Sequence, residues 1–173
     1  ACAISAGAGT IYRNYFVTLN GLIGQSEHNQ VDCLSDIGEA LENEKLGLWE
    51  MKNGYALLTE KGLWELEQSL EDLGSQKIDD IRSLLRIGLQ WDTQVTLSGT
   101  DHLVSQAYCS ALPVGYSQYP QELWANFAKL ILEASYEATL CAGILNYEKA
   151  GNNQVFLTLV GGGVFGNELS WII

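Results

Sequence analysis

The feature that most constrains the fold of this chain is an apolar run at residues 155–160 that leads directly into a glycine-rich loop at residues 161–167. A short apolar, β-branched run bounded by glycines is typical of a strand buried in a parallel sheet. Glycines after such a strand let the backbone approach a ligand and direct several N–H groups at one anion. The pattern at residues 167–173 predicts the start of a helix. The free N–H groups at the start of that helix would add to the positive potential that attracts the anion.

The stretch therefore predicts a phosphate cradle at the carboxyl end of a strand. The alternative is a tight turn that needs glycine only for its backbone conformation. The residues assigned to the cradle are Gly161, Gly162, Gly163, Val164, Phe165, Gly166 and Asn167.

The net charge of the chain indicates which groups could hold a phosphate in such a cradle. The chain has 173 residues, enough for one domain with a core, and 47% of them are hydrophobic. A net charge of -12 argues against DNA or RNA as a partner. A bound phosphate would therefore be held by backbone dipoles more than by lysine side chains.

Cysteine and histidine usage predicts no metal site and no cofactor. The four cysteines, Cys2, Cys33, Cys109 and Cys141, form no C-x-x-C pair, and two histidines cannot make a zinc site alone. Buried free thiols in a reducing compartment are expected.

No apolar run has transmembrane length, and no signal peptide is visible, so no membrane association is expected. From the cysteine usage we expect a cytoplasmic protein. Because residue 1 is not methionine, an upstream leader and a secreted effector are left as alternatives.

A second, weaker strand-then-glycine unit stands at the start of the chain. Residues 1–5 predict a strand, and Ala6 and Gly7 open a loop of small residues. Two such loops at strand ends are what a ligand crevice at a topological switch point requires. The aromatic residues at 11–17 either fill the core from a strand or turn, or stack on a base while Asn14 binds hydroxyl groups. Gln25, in a polar loop, is assigned to the same ligand.

Two carboxylates are candidates for catalysis. Asp32 lies near the start of a helix predicted by apolar spacing over residues 31–41, with Asp36 on the same face. It is either a solvated acid that favours the helix dipole or a group facing the site. Asp92 lies at the beginning of a strand predicted at residues 90–97, beside Trp91, and is either a capping acid or a catalytic one.

The remaining patterns predict local elements. Asn53-Gly54 predicts a hairpin over residues 48–58, and apolar spacing predicts helices ending at Gly74 and near Gly88. Residues 46–88 are interpreted as an insertion or a peripheral layer. A strand at residues 102–109, a long helix from Pro120 to just before Gly151 and the strand at 155–160 predict a right-handed βαβ crossover.

The long helix, the apolar strand and the loop Gly161-Gly162-Gly163-Val164-Phe165-Gly166 resemble the last third of a macro domain, the ADP-ribose-binding module. In that family a Gly-x-Gly-[aliphatic]-[aromatic]-Gly loop surrounds the diphosphate. The start of the chain is similar in position to the family strand that ends in Asn-Ala-Ala-Asn, but Ala6-Gly7-Ala8-Gly9 lacks those asparagines. The family's first strand, with its adenine-binding aspartate, has no counterpart.

These departures, with the aromatic run, look more like the divergent MavL-type ADP-ribosyl hydrolases, which remove ADP-ribose from arginine side chains. The resemblance implies a single α/β domain over residues 1–173 with a three-layer, macro-domain-like fold. A mixed, mostly parallel central sheet would lie between helices, with residues 46–88 as a hairpin and helical insertion.

The resemblance also implies the function. The expected activity is hydrolysis of ADP-ribose from a protein side chain, with Asp92 as the first candidate for the catalytic carboxylate and Asp32 as the second. The expected partner is ADP-ribose or an ADP-ribosylated protein, and the oligomeric state is open.

Two other classes of function remain. One is an ADP-ribose reader without turnover. The other is an NAD-binding oxidoreductase, because Gly161, Gly163 and Gly166 formally satisfy G-x-G-x-x-G. That fingerprint belongs in the first βα unit with an acid about 20 residues later, and here the chain ends first.

Overall fold

The computed structural model describes residues 7–96 and 99–173. The chain divides into two compact units, one formed by residues 1–32 and 89–107 and the other by residues 33–88 and 108–173. The strand expected at residues 1–5 and the candidate ligand residue Ala6 lie outside the described residues. The expectation of one domain over residues 1–173 stays a prediction.

The described residues of the first unit form one helix and two strand pairs. Its helix α1 spans Gly7–Tyr15, so the aromatic run expected as a strand or turn is mostly helical. A short hairpin follows, with β1 at Thr18–Leu19 and β2 at Leu22–Ile23. The second pair joins β5, Gly88–Gln94, to β6, Leu103–Tyr108, whose outermost residues Gly88 and Tyr108 belong to the second unit.

The second unit contains most of the helices. In chain order its elements are α2 Ser35–Ala40, α3 Asn43–Leu46, β3 Trp49–Lys52, β4 Tyr55–Leu58, α4 Glu60–Glu71, α5 Ser75–Arg82, 3₁₀ turns at Val114–Tyr116 and Gln121–Trp124, α6 Ala125–Ala150 and α7 Leu169–Ile172.

Local signals explain where these elements begin and end. Asn53 and Gly54 both have positive φ, 52° and 80°, as the tight hairpin turn between β3 and β4 requires. Thr59 caps α4, because its Oγ1 accepts a 2.9 Å hydrogen bond from the N–H of Gly62. Helix α6 ends at Gly151, which adopts a left-handed φ of 71°. The predicted hairpin, the first short helix and the long helix are thus confirmed, and the second short helix ends at Arg82 instead of near Gly88.

The core of the second unit lies between α4, the β3–β4 hairpin and α6. Trp49 and Phe127 pack with ring centroids 5.2 Å apart. Residues 46–88, interpreted from sequence as an insertion or peripheral layer, supply a large part of this core. Its fully buried large side chains include Ile37, Leu63, Leu66, Trp124, Phe127 and Ile131.

The predicted three-layer fold with a mostly parallel central sheet is wrong. The described residues form three separate antiparallel pairs, β1–β2, β3–β4 and β5–β6, each made from strands that are neighbours in sequence. Strand β6 pairs with β5, and residues 155–160 are not a strand, so the expected βαβ crossover does not form. Short apolar runs do not specify secondary structure alone, since a strand also needs a partner for its backbone groups.

None of the helices in the described part of the chain combines the length and apolarity needed to cross a lipid bilayer.

Candidate functional site

The glycine-rich loop at residues 161–167 is closed by its last residue, Asn167. The backbone N–H of Asn167 donates to the carbonyl oxygen of Gly161 at 3.0 Å. Its side-chain Nδ2 donates to the carbonyl oxygen of Leu112 at 2.9 Å, with longer contacts of 3.4 Å to the carbonyl oxygens of Gly161 and Phe165. Asn167 is buried, and its amide nitrogen therefore holds the loop closed.

Two of the glycines are required by the loop itself. Gly161 has a φ of +79°, and a Cβ there would lie 2.4 Å from the Cβ of Ala111. Gly166 has a φ of +67°, and a Cβ there would lie 2.9 Å from the Cα of Gly115. At these two positions the backbone conformation and the close packing are enough to explain glycine, because no other residue fits without strain.

Gly163 has no comparable structural reason to be glycine. A Cβ at this position would meet nothing within 4 Å, and its φ is not left-handed. A small residue there leaves space beside the backbone, which is the property expected of a loop that a ligand approaches closely.

Three consecutive peptide N–H groups in the loop remain unpaired. The N–H of Gly162 donates to Leu159 at 3.2 Å, and that of Gly166 donates to Gly163 at 3.0 Å. Within the described residues, the N–H groups of Gly163, Val164 and Phe165 have no acceptor. Successive free N–H groups are the elements from which anion-binding loops are built.

Three aromatic rings meet beside these N–H groups. Phe165 lies 5.9 Å from Tyr55 and 5.6 Å from Tyr116, and the two tyrosine rings are 5.5 Å apart, measured between ring centroids. All three pairs are edge-to-face, the arrangement that the ring quadrupoles favour. Tyr55 and Tyr116 keep a substantial exposed surface that a planar ligand can cover.

Neither tyrosine was predicted from the sequence. Each directly follows a glycine, in Gly54-Tyr55 and Gly115-Tyr116. An aromatic side chain immediately after a turn glycine was the available signal, because turns lie at the surface and leave such rings exposed. We refer to Gly163, Val164 and Phe165 together with Tyr55 and Tyr116 as the amide–aromatic surface.

The glycine-rich loop brings no charged side chain to this surface, because residues 150–167 include none. The predicted helix after the loop is confirmed only as a single turn, α7, with Glu168 at its N-cap. So short a helix has little dipole, and the Glu168 carboxylate adds negative charge, so α7 does not supply the expected anion-binding field.

Asn14 and Gln25, both assigned to the ligand, lie together in the first unit and bind each other. The Nε2 of Gln25 donates to the Oδ1 of Asn14 at 3.0 Å, and the Gln25 Oε1 accepts from the N–H of Val31 at 2.8 Å. Their amides thus hold the loop after β2. Gly7, assigned to the same ligand, is the first residue of α1.

The two candidate catalytic carboxylates also lie in the first unit, whereas the glycine-rich loop belongs to the second. Asp32 is half-buried. Asp92 is exposed, lies within β5 and has a φ of +54°, which is rare for a residue other than glycine. Its N–H lies 3.5 Å from the Oγ of Ser105.

The described part of the chain has no cluster of metal-binding side chains, and the pKa of one of its cysteines, Cys109, is raised. No group of three or more histidine, cysteine, aspartate or glutamate side chains there could hold a metal ion. Cys33 and Cys109 are half-buried, whereas Cys141 is exposed, so the expectation of a buried thiol is wrong at Cys141. Burial raises the pKa of the Cys109 thiol, against hydrogen bonds with Thr139 and Ser135 that lower it, and this disfavours the reactive thiolate.

Comparisons with protein-family models, with curated proteins and with solved structures find no match to this chain.

Proposed function

We propose that this protein binds ADP-ribose, free or attached to a protein, at the amide–aromatic surface. The observation that carries the proposal is the row of three unpaired N–H groups, at Gly163, Val164 and Phe165, beside a three-ring aromatic cluster. The first feature matches a pyrophosphate, and the second matches the planar base or the sugar of a nucleotide.

Backbone donors suit this ligand in an acidic protein. With a net charge of -12, the chain as a whole repels a diphosphate, so local donors must provide the attraction. Hydrogen bonds to a charged group contribute about 1.5–3 kcal/mol each. Loss of one such bond therefore weakens binding about tenfold or more.

Calorimetric titration with ADP-ribose tests the proposal. Gly163→Pro removes one N–H donor and is expected to weaken binding at least about tenfold. Gly163→Ala is the matched control, because it keeps the N–H and places its methyl group in open space. Equal affinity for the two variants would contradict a role for the backbone amides, and a strong preference for NAD over ADP-ribose would favour the oxidoreductase alternative.

A second pair of variants tests the rings. Tyr116 and Trp64 are each 52% exposed and both lie in the second unit, but only Tyr116 belongs to the aromatic cluster. Tyr116→Leu is expected to weaken ADP-ribose binding, and Trp64→Leu is expected to leave it unchanged.

Hydrolysis of the ADP-ribose linkage is the second candidate function, and the backbone of Asp92 favours it. A φ of +54° within a strand is uncommon for a residue other than glycine, and such backbone outliers are enriched at functional sites. A carboxylate can stabilise an oxocarbenium-like transition state or activate water.

Release of ADP-ribose from an ADP-ribosylated arginine peptide separates the two functions. Asp92→Asn is expected to lower turnover by about 10²–10⁴-fold while leaving the affinity for ADP-ribose nearly unchanged. Asp101→Asn changes another exposed carboxylate of the first unit and serves as the control. If the wild-type protein binds ADP-ribose and releases none, the reader function is the correct one.

A further inference from the structure

The β3–β4 hairpin brings a cation to the edge of the amide–aromatic surface. Lys52 is the last residue of β3, Tyr55 is the first residue of β4, and the two lie directly opposite each other in the antiparallel pair. Residues opposite each other in such a pair project their side chains to the same side, with Cβ atoms about 4.5–5.5 Å apart. Lys52 therefore lies beside the ring that this hairpin contributes to the aromatic cluster.

The side of the hairpin that bears Lys52 is the outer one. Trp49 and Leu58, which pair with each other, are buried on one side, whereas Lys52 and Tyr55 are exposed on the other. From this outer side the ring of Tyr55 contacts the ring of Phe165, with centroids 5.9 Å apart. The outer side of the hairpin and the glycine-rich loop thus belong to the same surface.

The ammonium of Lys52 is available to a ligand. In the described part of the chain no carboxylate forms an ion pair with it, including that of Glu50 on the same side of β3. The two arginines of the second unit, Arg82 and Arg86, are both ion-paired. In a chain with 21 acidic residues and only nine lysines and arginines, an unpaired cation beside anion-binding N–H groups is a local source of attraction for phosphate.

Two kinds of phosphate-binding group therefore border the aromatic cluster. The unpaired N–H groups of residues 163–165 can donate to the oxygens of one phosphate. A lysine ammonium is a compact charge on a flexible stem, so it can reach a group bound a short distance from the loop. A monophosphate needs only the N–H groups, whereas a diphosphate presents a second charged group to Lys52.

We propose that Lys52 binds the second phosphate of a nucleoside diphosphate whose first phosphate lies on the loop N–H groups. Lys52 then makes the surface selective for diphosphates over the monophosphate of the same nucleoside. This inference rests on the proposed nucleotide-binding function, and it adds to that function a side chain from another element and a criterion for the ligand.

Calorimetric titration of the full chain with ADP and with AMP, in magnesium-free buffer, tests the proposal. The wild type is expected to bind ADP at least about tenfold more tightly than AMP, because a hydrogen bond to a charged group contributes about this factor. Lys52→Met removes the charge and keeps an unbranched stem, and it is expected to lose most of the difference through weaker ADP binding. Lys52→Arg keeps a cation and is expected to retain the preference. Rising salt is expected to weaken ADP binding more in the wild type than in Lys52→Met.

Lys61→Met is the matched control. Lys61 is another exposed lysine of the second unit, in the first turn of α4, beyond the open end of the hairpin. The three residue steps from Lys52 back to Trp49 separate the two ends of the hairpin by about 10 Å. Lys61→Met is therefore expected to bind ADP as the wild type does.

The inference is overturned if Lys52→Met binds ADP as tightly as the wild type, or if Lys61→Met weakens ADP binding to the same extent. Titration with ADP-ribose separates this inference from the proposed function. Unchanged ADP-ribose binding in Lys52→Met overturns the inference and leaves the proposed function standing. Lys52-dependent binding of ADP without binding of ADP-ribose supports the inference and overturns the proposed function. Failure of the wild type to bind either ligand overturns both.

Discussion

At the scale of single residues, an ion pair joins the start of α2 to the stretch after α5. The Oδ2 of Asp36 accepts a 2.8 Å hydrogen bond from the Nε of Arg86, and the N–H of Arg86 donates to the carbonyl oxygen of Cys33 at 3.2 Å. The hydrogen bond from Arg86 lowers the pKa of Asp36, against partial burial, which raises it, and a further bond from Ser35 also lowers it. The carboxylate form is therefore favoured in the folded protein.

This lowered pKa predicts a pH-dependent contribution to folding. An unfolded aspartate titrates near pH 3.9. Because the folded pKa is lower, the stabilisation is present above that value and is lost as the pH falls through the folded pKa. Asp36→Asn is therefore expected to lower the urea midpoint at neutral pH, with the difference from wild type shrinking below about pH 4.

The effect is expected to be small and to weaken at high salt, because the pair is exposed to solvent. Asp101→Asn removes another exposed carboxylate and is the control. A loss of stability in Asp36→Asn that is the same at neutral and acidic pH would refute the electrostatic explanation.

Amide side chains show how little of a residue's role can be predicted from sequence. Asn167, Asn14 and Gln25 were all assigned to a ligand, and in the structure each makes hydrogen bonds that hold a loop of its own unit. An amide can bind a ligand hydroxyl or a neighbouring carbonyl equally well, and the sequence does not say which group lies nearby. Gly161 and Gly166 could be predicted, because positive φ strongly favours glycine.

At the scale of elements, the contact between α4 and the residue before β3 depends on one glycine. A Cβ at Gly62 would lie 2.0 Å from the carbonyl oxygen of Leu48. The nearest atoms are all backbone atoms of Leu48, so the clash could not be relieved by rotation of a side chain. Ala is otherwise favoured over Gly inside a helix by about 1 kcal/mol, which makes glycine at this position a consequence of packing.

Gly62→Ala is therefore expected to destabilise the protein by about 2 kcal/mol or more, since overpacking a core costs about 1–3 kcal/mol. Chemical unfolding measures the change. Gly163→Ala makes the same substitution where a Cβ meets nothing, and it is expected to stay within about 0.5 kcal/mol of wild type. Equal stability of the two variants would show that α4 can move away from Leu48 at little cost.

Elements with local signals were predictable, and those needing distant partners were not. The β3–β4 hairpin follows from Asn53-Gly54, and α6 follows from apolar spacing that ends at Gly151. The run at residues 155–160 has the composition of a strand, but its role depends on a partner that the sequence does not name. The predicted parallel sheet failed for this reason, together with the fold inferred from it.

At the scale of the whole molecule, the two units differ in how many of their residues are buried. Gly24 is the only buried position among the described residues of the first unit, whereas the second unit has a continuous apolar core. Sequence composition predicted that a core would form, but it could not show that residues 33–88 and 108–173 would contain it. Composition indicates how much apolar surface is available for burial, but it does not indicate which segments pack together to bury it.

This asymmetry predicts a difference in local stability between two helices of similar length. Helix α1 has nine residues and none is buried, whereas α5 has eight residues and buries Ile81. Isolated helices shorter than about 12–15 residues are marginal in water, so helices of this length depend on packing. We expect the backbone amides of α1 to exchange with deuterium at least about tenfold faster than those of α5, as measured by mass spectrometry of peptides from each helix.

Helix α6 provides the slow reference, since its first half is buried in the core. Addition of denaturant at low concentration should leave the order of exchange unchanged, because α1 opens locally whereas α5 and α6 exchange through larger openings of the core. Protection of α1 equal to that of α5 would mean that contacts other than burial stabilise the first unit, and the asymmetry of the core would then not govern its dynamics.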